Sequence, residues 1–267
     1  RTREEIIGAS KSKYCPVPAN IALKQILESK DSERFAVVGL PCHLHGIRKA
    51  ERINKKLKGK IVLHLGIFCG HTPNFLATEF SLSKLKVRKG NVENLSYRGK
   101  GWPGGVSIML KDGNKLFIPH SHLYAWGGIF GSVLFTPFRC LLCADGINEL
   151  ADISFGDAWL PELRKDDKIG RSIVTSRNQR GSEILQRITS DGIIALNSIH
   201  KEQVIQSQQS MLKFKKKNIE ARIRAFRLFR KSRPSFNCHM ISDVNYTSML
   251  YALPFCLNNL LSQKDGV

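Results

Sequence analysis

Early in the chain, apolar residues come in short unbroken runs, and behind each run they recur at helical spacing. "RFAVVGLPCHLHGIRKAERI" starts as a buried strand, Phe35 to Leu40, turns at Pro41 and Cys42, and continues with apolar positions three and four apart. "KIVLHLGIFCGHTPNFLATEF" repeats the plan: a strand from Ile61 to Phe68, a turn at Cys69 and Gly70, then a helix with Thr72 as N-cap and Pro73 in its first turn. Successive strand-turn-helix units build a parallel sheet whose strand C-termini share one edge, where open α/β sheets place their ligands. Cys42 and Cys69 both fall at that edge. Neighbouring strands lie about 5 Å apart, so one metal site is within reach of both sulfurs.

The pattern then changes. "ENLSYRGKGWPGGVSIMLKDGNKLFIP" alternates as antiparallel strands do, with Asp112, Gly113 and Asn114 as a hairpin turn and "GWPGG" as a tight entry loop. "RSIVTSRN" reads as a further strand, "GSEILQRITSDG" as a capped helix and "IIALNSI" as another strand. Beyond about Lys201 the chain turns helical and basic. The expected fold is mixed α/β: parallel strand-turn-helix units, an antiparallel portion and a helical C-terminal tail. We divide it into a mixed α/β domain, residues 1–200, and a basic helical extension, residues 201–267. No internal repeat or low-complexity segment interrupts it.

Composition narrows the class. With 267 residues and 42% hydrophobic content the chain can bury a core. Its most apolar stretch, "SMLYALPFCLNNLL", is short and is broken by Pro254 and two asparagines, so no membrane span is expected. The sequence opens at Arg1 with no initiator Met and no signal-like segment, and we expect a piece of a longer product. Seven cysteines, an odd set without regular spacing, fit a reducing compartment and hence the cytoplasm.

A net charge of +20 implies an anionic partner: nucleic acid, acidic lipid, an acidic protein or a phosphate-bearing cofactor. The stretch from Leu212 to Arg233 holds ten Lys or Arg against one acid, Glu220. It reads as a helix with Ile219, Ile223 and Phe226 packed on the core and Lys215, Lys216, Arg222, Arg224 and Lys231 facing solvent. Its expected role is electrostatic steering of an anionic partner.

The chemistry centres on one C-x-x-C, Cys140 and Cys143. Two thiolates are half of what tetrahedral zinc or a cubane cluster takes. Cys42 and Cys69 complete a set of four, although buried core thiols would read the same way. No helical pattern opens at Cys143, unlike a thioredoxin-type motif, and the rapid cysteine succession of ferredoxins is absent. Zinc and 4Fe-4S both remain open. "GWPGG" is either a close backbone approach to a ring or phosphate, through Gly104 and Gly105, or simply a turn. Asp157, after a strand end, suits a ribose or ring edge, or a turn cap. Lys11, Lys13 and Tyr14 suit phosphate and ring contacts, or a solvated run. The histidines at 43, 45, 64, 71, 120 and 122 lack a zinc-protease spacing and read as structural.

"SKYCPVP", "VVGLPCHLHGIRKAE", "IFCGHTP", "YRGKGWPGG", "FRCLLCADGINELADISFGDAWL" and "GRSIVTSRNQRGSEIL" occur in that order from Ser10 to Leu185. Together they resemble the beta-subunit family of coenzyme F420-reducing hydrogenases and dehydrogenases. The resemblance implies an iron-sulfur flavoprotein in which FAD exchanges a hydride with the deazaflavin F420 and single electrons with a 4Fe-4S cluster. Cluster ligands are then expected at Cys42, Cys69, Cys140 and Cys143, with Cys15 in reserve. Flavin contacts are expected at Lys13, Tyr14, Gly104, Gly105 and Asp157, and ferredoxin or another electron-transfer subunit is the expected partner. Members carry a Ser-Gly-Gly-type flavin segment ahead of S-K-Y, often with a two-cluster ferredoxin-like module, and neither lies in this sequence. The alternative is a zinc-stabilised nucleic-acid-binding protein, which the charge and thiolates invite but no recognised reading motif accompanies.

Overall fold

Four strands form the main sheet of the computed structural model, which describes residues 2–122, 126–229 and 246–262. Their order is β1 (Phe35–Gly39), β2 (Ile61–Ile67), β6 (Ile153–Asp157) and β7 (Ser172–Ser176). β1, β2 and β6 run parallel, and β7 closes one side antiparallel to β6. Ahead of them lie α1 (Arg3–Ala9) and α2 (Ala19–Glu28); between β1 and β2 lie α3 (Pro41–Ile53) and α4 (Lys55–Lys60). Ile26, Val37, Leu44, Ile47, Leu57 and Ile61 pack these elements into one core.

The register fixes where the sheet's ligand edge lies. Gly39 pairs with Gly66, and Gly66 with Ser154. Cys42, Cys69 and Asp157 each stand three positions beyond those partners, so three adjacent parallel strands deliver them to one level. Cys42 sits inside the first turn of α3 rather than in a turn before it. Cys69 lies just after β2, and helix α5 (Phe75–Lys84) is capped by Asn74, whose Oδ1 accepts from Leu76 N at 3.0 Å. The expected caps, Thr72 and Pro73, belong to the loop before it.

Beneath the sheet, His64 on β2 is enclosed by two acids: Nε2 is 3.0 Å from Glu51 and Nδ1 is 3.3 Å from Asp152. Asp152 also accepts from His64 N at 2.7 Å, Arg48 at 3.0 Å and Asn178 at 2.7 Å. This buried network ties α3 to β2 and to the start of β6.

A second sheet, β3 (Val92–Gly99), β4 (Gly105–Leu110) and β5 (Lys115–Pro119), is an antiparallel meander, with GWPGG and the Asp112–Asn114 turn where the pattern predicts them. Its inner face packs Val106, Ile108 and Ile118 against Ala77 and Leu82 of α5 and Ile129 of α6 (Trp126–Ser132). α7 (Phe138–Leu141), α8 (Pro161–Asp166) and α9 (Gln179–Ser190) follow. The strand expected at "IIALNSI" does not form. Ile193 is 69% exposed, and the segment lies without regular structure.

The tail continues as α10 (Lys201–Ser207), α11 (Gln209–Leu212), a π-helical turn at Lys213–Lys217, α12 (Ile219–Leu228) and α13 (Tyr246–Ser262). Ile219, Ile223 and Phe226 are buried, as the stripe predicts, and they pack with Leu141, Leu142, Ala252 and Cys256. Two of the expected solvent-facing cations are not at the surface: Lys215 is 1% exposed and Arg222 is 0% exposed. The wide π turn redirects Lys215 inward, and both cations cap carbonyls of the C-x-x-C segment. Arg224 is exposed and Lys216 is half-buried, while Lys231 lies outside the described residues. No helix among the described residues is long and apolar enough to cross a membrane.

Candidate metal centre

Four cysteines lie near the ends of the parallel strands, Cys42 and Cys69 following β1 and β2 and Cys140 and Cys143 in and after α7. Cys42 lies within electrostatic reach of Cys140 and Cys143, and Cys69 within reach of Cys42 and Cys140. All four are half-buried, reduced and free of disulfides. Burial pushes the Cys69 thiol up to about 12, against the pull of Lys215 and a hydrogen bond with Thr72. Burial raises Cys42 as well, with Arg139 acting the other way. Such thiols stay protonated at neutral pH unless a metal takes the proton's place. Cys15, half-buried, is not among the charges that dominate at Cys42 and Cys69. Among the described residues no three His, Cys, Asp or Glu side chains gather tightly enough for a single metal ion.

The C-x-x-C loop is held to the strands by residues that sequence reasoning missed. Asn148, fully buried, donates from Nδ2 to Gly39 O at 2.8 Å and to Ile67 O at 3.2 Å, so one amide bridges the ends of β1 and β2. Gly66 leaves the room for it: a Cβ there would lie 2.6 Å from that of Asn148. Asp145 caps the loop's own turn, accepting from Asn148 N and Glu149 N at 2.8 and 2.9 Å. Cys69 N–H donates to Gly146 O at 2.8 Å. The signal was present as the D-x-x-N in "CADGIN", a side-chain turn pattern that local reading passes over.

On the other side, the tail presses on the same loop. A Cβ on Gly146 would meet Met211 Sδ at 2.9 Å and Lys215 Cγ at 3.2 Å. Lys215 Nζ donates to Cys140 O at 3.2 Å, and Arg222 Nε donates to Leu141 O at 2.9 Å while its guanidinium lies 3.9 Å from the Phe214 ring. His71, buried in the same place, is pushed down to about 3 by burial and by Lys215 and Arg222, so it is neutral at pH 7.

The segments expected to meet flavin also converge, through an arginine. Arg98, nine-tenths buried, donates to Tyr14 Oη at 3.2 Å, Asp157 Oδ2 at 3.1 Å and Pro103 O at 2.9 Å. One guanidinium thus joins S-K-Y, GWPGG and G-D. Trp102 and Trp159 lie tilted at 40° with centroids 5.0 Å apart, and His120 lies 5.7 Å from Trp159. Burial, helped by Arg98 and Arg164, lowers the His120 pKa. Lys13 is not drawn in: it is exposed, and its Nζ bonds Gly8 O and Ser10 O within its own turn. Gly104 and Gly105 are required by the backbone itself. Gly104 has φ +69°, and a Cβ on either would strike carbonyls, of Gly99 and Gly101 or of Ile118.

The structure is a mixed α/β protein with four cysteines near the ends of its parallel strands and an arginine-centred cluster that reaches Asp157 at the end of β6. The chain belongs to the coenzyme F420 hydrogenase/dehydrogenase beta-subunit family: the family model for the C terminus of the coenzyme F420 hydrogenase/dehydrogenase beta subunit matches residues 32–202. It is 28% identical over 203 residues to a coenzyme F420 hydrogenase subunit beta of Methanothermobacter thermautotrophicus, covering 74% of this chain and 64% of that protein. It is 27% identical over 226 residues to the subunit of that name from Methanosarcina barkeri, covering 82% and 69%. A coenzyme F420-dependent sulfite reductase of Methanocaldococcus jannaschii matches at 25% over 233 residues, 82% of this chain and 33% of that one. The chain thus spans less than two thirds of the first of these relatives. Among solved structures, the F420-reducing [NiFe] hydrogenase complex from Methanosarcina barkeri, in a xenon-derivatised form, superposes with a TM-score of 0.61 at 20% identity. The match covers 87% of this chain and 76% of that one, and at this identity it speaks for the fold.

Proposed function

We propose that this chain is an electron-transfer unit of an F420-linked oxidoreductase, holding a 4Fe-4S cluster at Cys42, Cys69, Cys140 and Cys143 and FAD against Tyr14, Arg98 and Asp157. The observation that carries this reading is the convergence of two strand-end thiols with a loop pair at one sheet edge. The donor set fits: four thiols suit an iron-sulfur cluster, and the neighbouring cations suit its negative charge. A cluster there supplies single electrons, and a flavin exchanges those for a hydride with F420. The chain's own part is placement. Asn148 and Gly146 tie the C-x-x-C loop to the ends of β1 and β2. Arg98 fixes Tyr14 and Asp157, and Trp159 packs at a tilt against buried Trp102 next to them. His120, whose pKa burial lowers, lies 5.7 Å from the Trp159 ring. Ferredoxin or a partner subunit feeds the cluster.

Burial of Lys215 and Arg222 takes two charges off the surface that a nucleic-acid reading needs. The test is anaerobic purification with iron, sulfide and flavin assays. Four irons per chain, a broad absorbance near 400 nm, and loss of both on Cys→Ser change at any of the four positions but not at Cys256 are expected. One zinc per chain without iron would defeat the proposal.

A further inference from the structure

The most buried cation of the tail's π-helical turn stands beside the four thiols. Lys215 is 1% exposed, and among the described residues no carboxylate pairs with it. Its Nζ donates to Cys140 O at 3.2 Å, and its charge reaches the Cys69 thiol. The other nearby cations are differently placed: Arg139 is exposed, and Lys216 is paired with Glu149 at 2.6 Å. An ammonium held in the interior without a counter-anion is costly, and buried charges in folded proteins are paired or bind a charged group. A carbonyl satisfies one N–H but leaves the net charge unbalanced. Among the described residues, the acidic groups that the site itself offers to this ammonium are the cysteines, once deprotonated.

We propose that Lys215, contributed by the C-terminal tail, is the charge-balancing partner of the four-cysteine centre and sets both its reduction potential and its hold on iron. This rests on the cluster reading above. Lys215 lies beyond residues 32–202, where the family model matches, so the tail adds to the centre something that the matched region does not contain. Its position is built in. The π-helical turn Lys213–Lys217 brings it inward, Gly146 opens the space for its stem at 3.2 Å, and Arg222 anchors the next turn to Leu141 O at 2.9 Å. Accepting one electron adds one negative charge to an iron-sulfur cluster, and a fixed cation in a low-dielectric site favours that added charge. Lys215 therefore raises the potential.

Three variants separate charge from structure: Lys215→Gln keeps a donor for Cys140 O without the charge, Lys215→Arg keeps the charge, and Lys215→Met removes both. Each is purified anaerobically as the full chain and titrated with redox mediators, following the absorbance near 400 nm and the spin signal of the reduced state, with iron counted per chain. The expected result is that Lys215→Gln and Lys215→Met shift the one-electron reduction equilibrium at least tenfold toward the oxidised form, a midpoint lower by about 59 mV or more, while Lys215→Arg stays near the parent. Loss of iron in Lys215→Gln with retention in Lys215→Arg also supports the proposal. An unchanged midpoint in Lys215→Gln at full iron content overturns it, as does equal loss of iron in all three. A parent chain that takes up no iron at all removes the cluster reading itself and this inference with it.

Discussion

Asp152 carries its charge where burial disfavours it. Burial works to raise its pKa, but hydrogen bonds from Asn178 and His64 N–H, with Arg48 and His64 nearby, outweigh that and hold the carboxyl below its usual range. A lowered folded pKa gives stability that is fully present above the unfolded value of about 3.9 and is lost as pH falls through the folded one. Asp152→Asn should cost about 1–3 kcal/mol at pH 7, because the His64 N–H, Asn178 and Arg48 lose a charged acceptor while Arg48 keeps Glu51. In urea titrations the gap between variant and parent should close below about pH 4; a gap that persists there would mean the cost is packing, not charge. The residues that organise both sites were the least legible in the sequence. Arg98 is one of 42 Lys and Arg residues, and nothing local says that it alone will be buried against Tyr14, Pro103 and Asp157. Lys215 was misread for a related reason: a helical wheel sends every charge to solvent, whereas carbonyl acceptors 75 positions away at Cys140 brought this one in. The places of Cys42 and Cys69 just beyond β1 and β2 were legible, because strand and helix periods fix them without long-range knowledge.

At the level of elements, the GWPGG loop owes its glycines to backbone crowding. Gly104→Ala should lose about 1–2 kcal/mol from its left-handed φ alone, and more from the contact with the Gly99 and Gly101 carbonyls. Gly113, at φ +85° in the β4–β5 turn, has open space around it and should lose only the first part. Thermal melts of the two alanine variants should therefore differ, Gly104→Ala melting lower. Equal melting points would show that the loop relaxes. Arg98→Met should free Tyr14 from Asp157 and weaken FAD binding, and Arg98→Lys should not restore it, since a single ammonium cannot reach three acceptors in a fork. Titration calorimetry of the two variants checks this. The meander and the parallel units were readable from alternation and apolar runs. The strand expected at "IIALNSI" was not, because a strand exists only where an edge accepts it, and in this fold the segment meets none among the described residues.

For the whole molecule, the tail and the C-x-x-C helix share one core, in which Phe226 is fully buried and packs edge-on to Phe138 at 4.6 Å. Phe226→Ala should cost about 3–5 kcal/mol, and it should lower iron content along with stability, since α7 and α12 move together. A drop in melting temperature with iron unchanged would separate the two. On the tail's surface the exposed cations include Lys213, Lys217, Arg224 and Arg227. Charge reversal at Lys217 and Arg227 should slow association with ferredoxin at low salt, and the effect should fade as the Debye length shrinks to about 10 Å at 0.1 M. Sequence alone marked this segment as basic and helical; which of its charges remain outside was decided by contacts made over the length of the chain. Asn148 carries a different consequence. Because its single amide grips Gly39 O and Ile67 O, the spacing from Cys143 to Asn148 acts as a ruler cut to one length. One residue spliced into that interval would pull the amide off both strands, whereas the same residue spliced between Asp112 and Asn114 would only lengthen a surface hairpin.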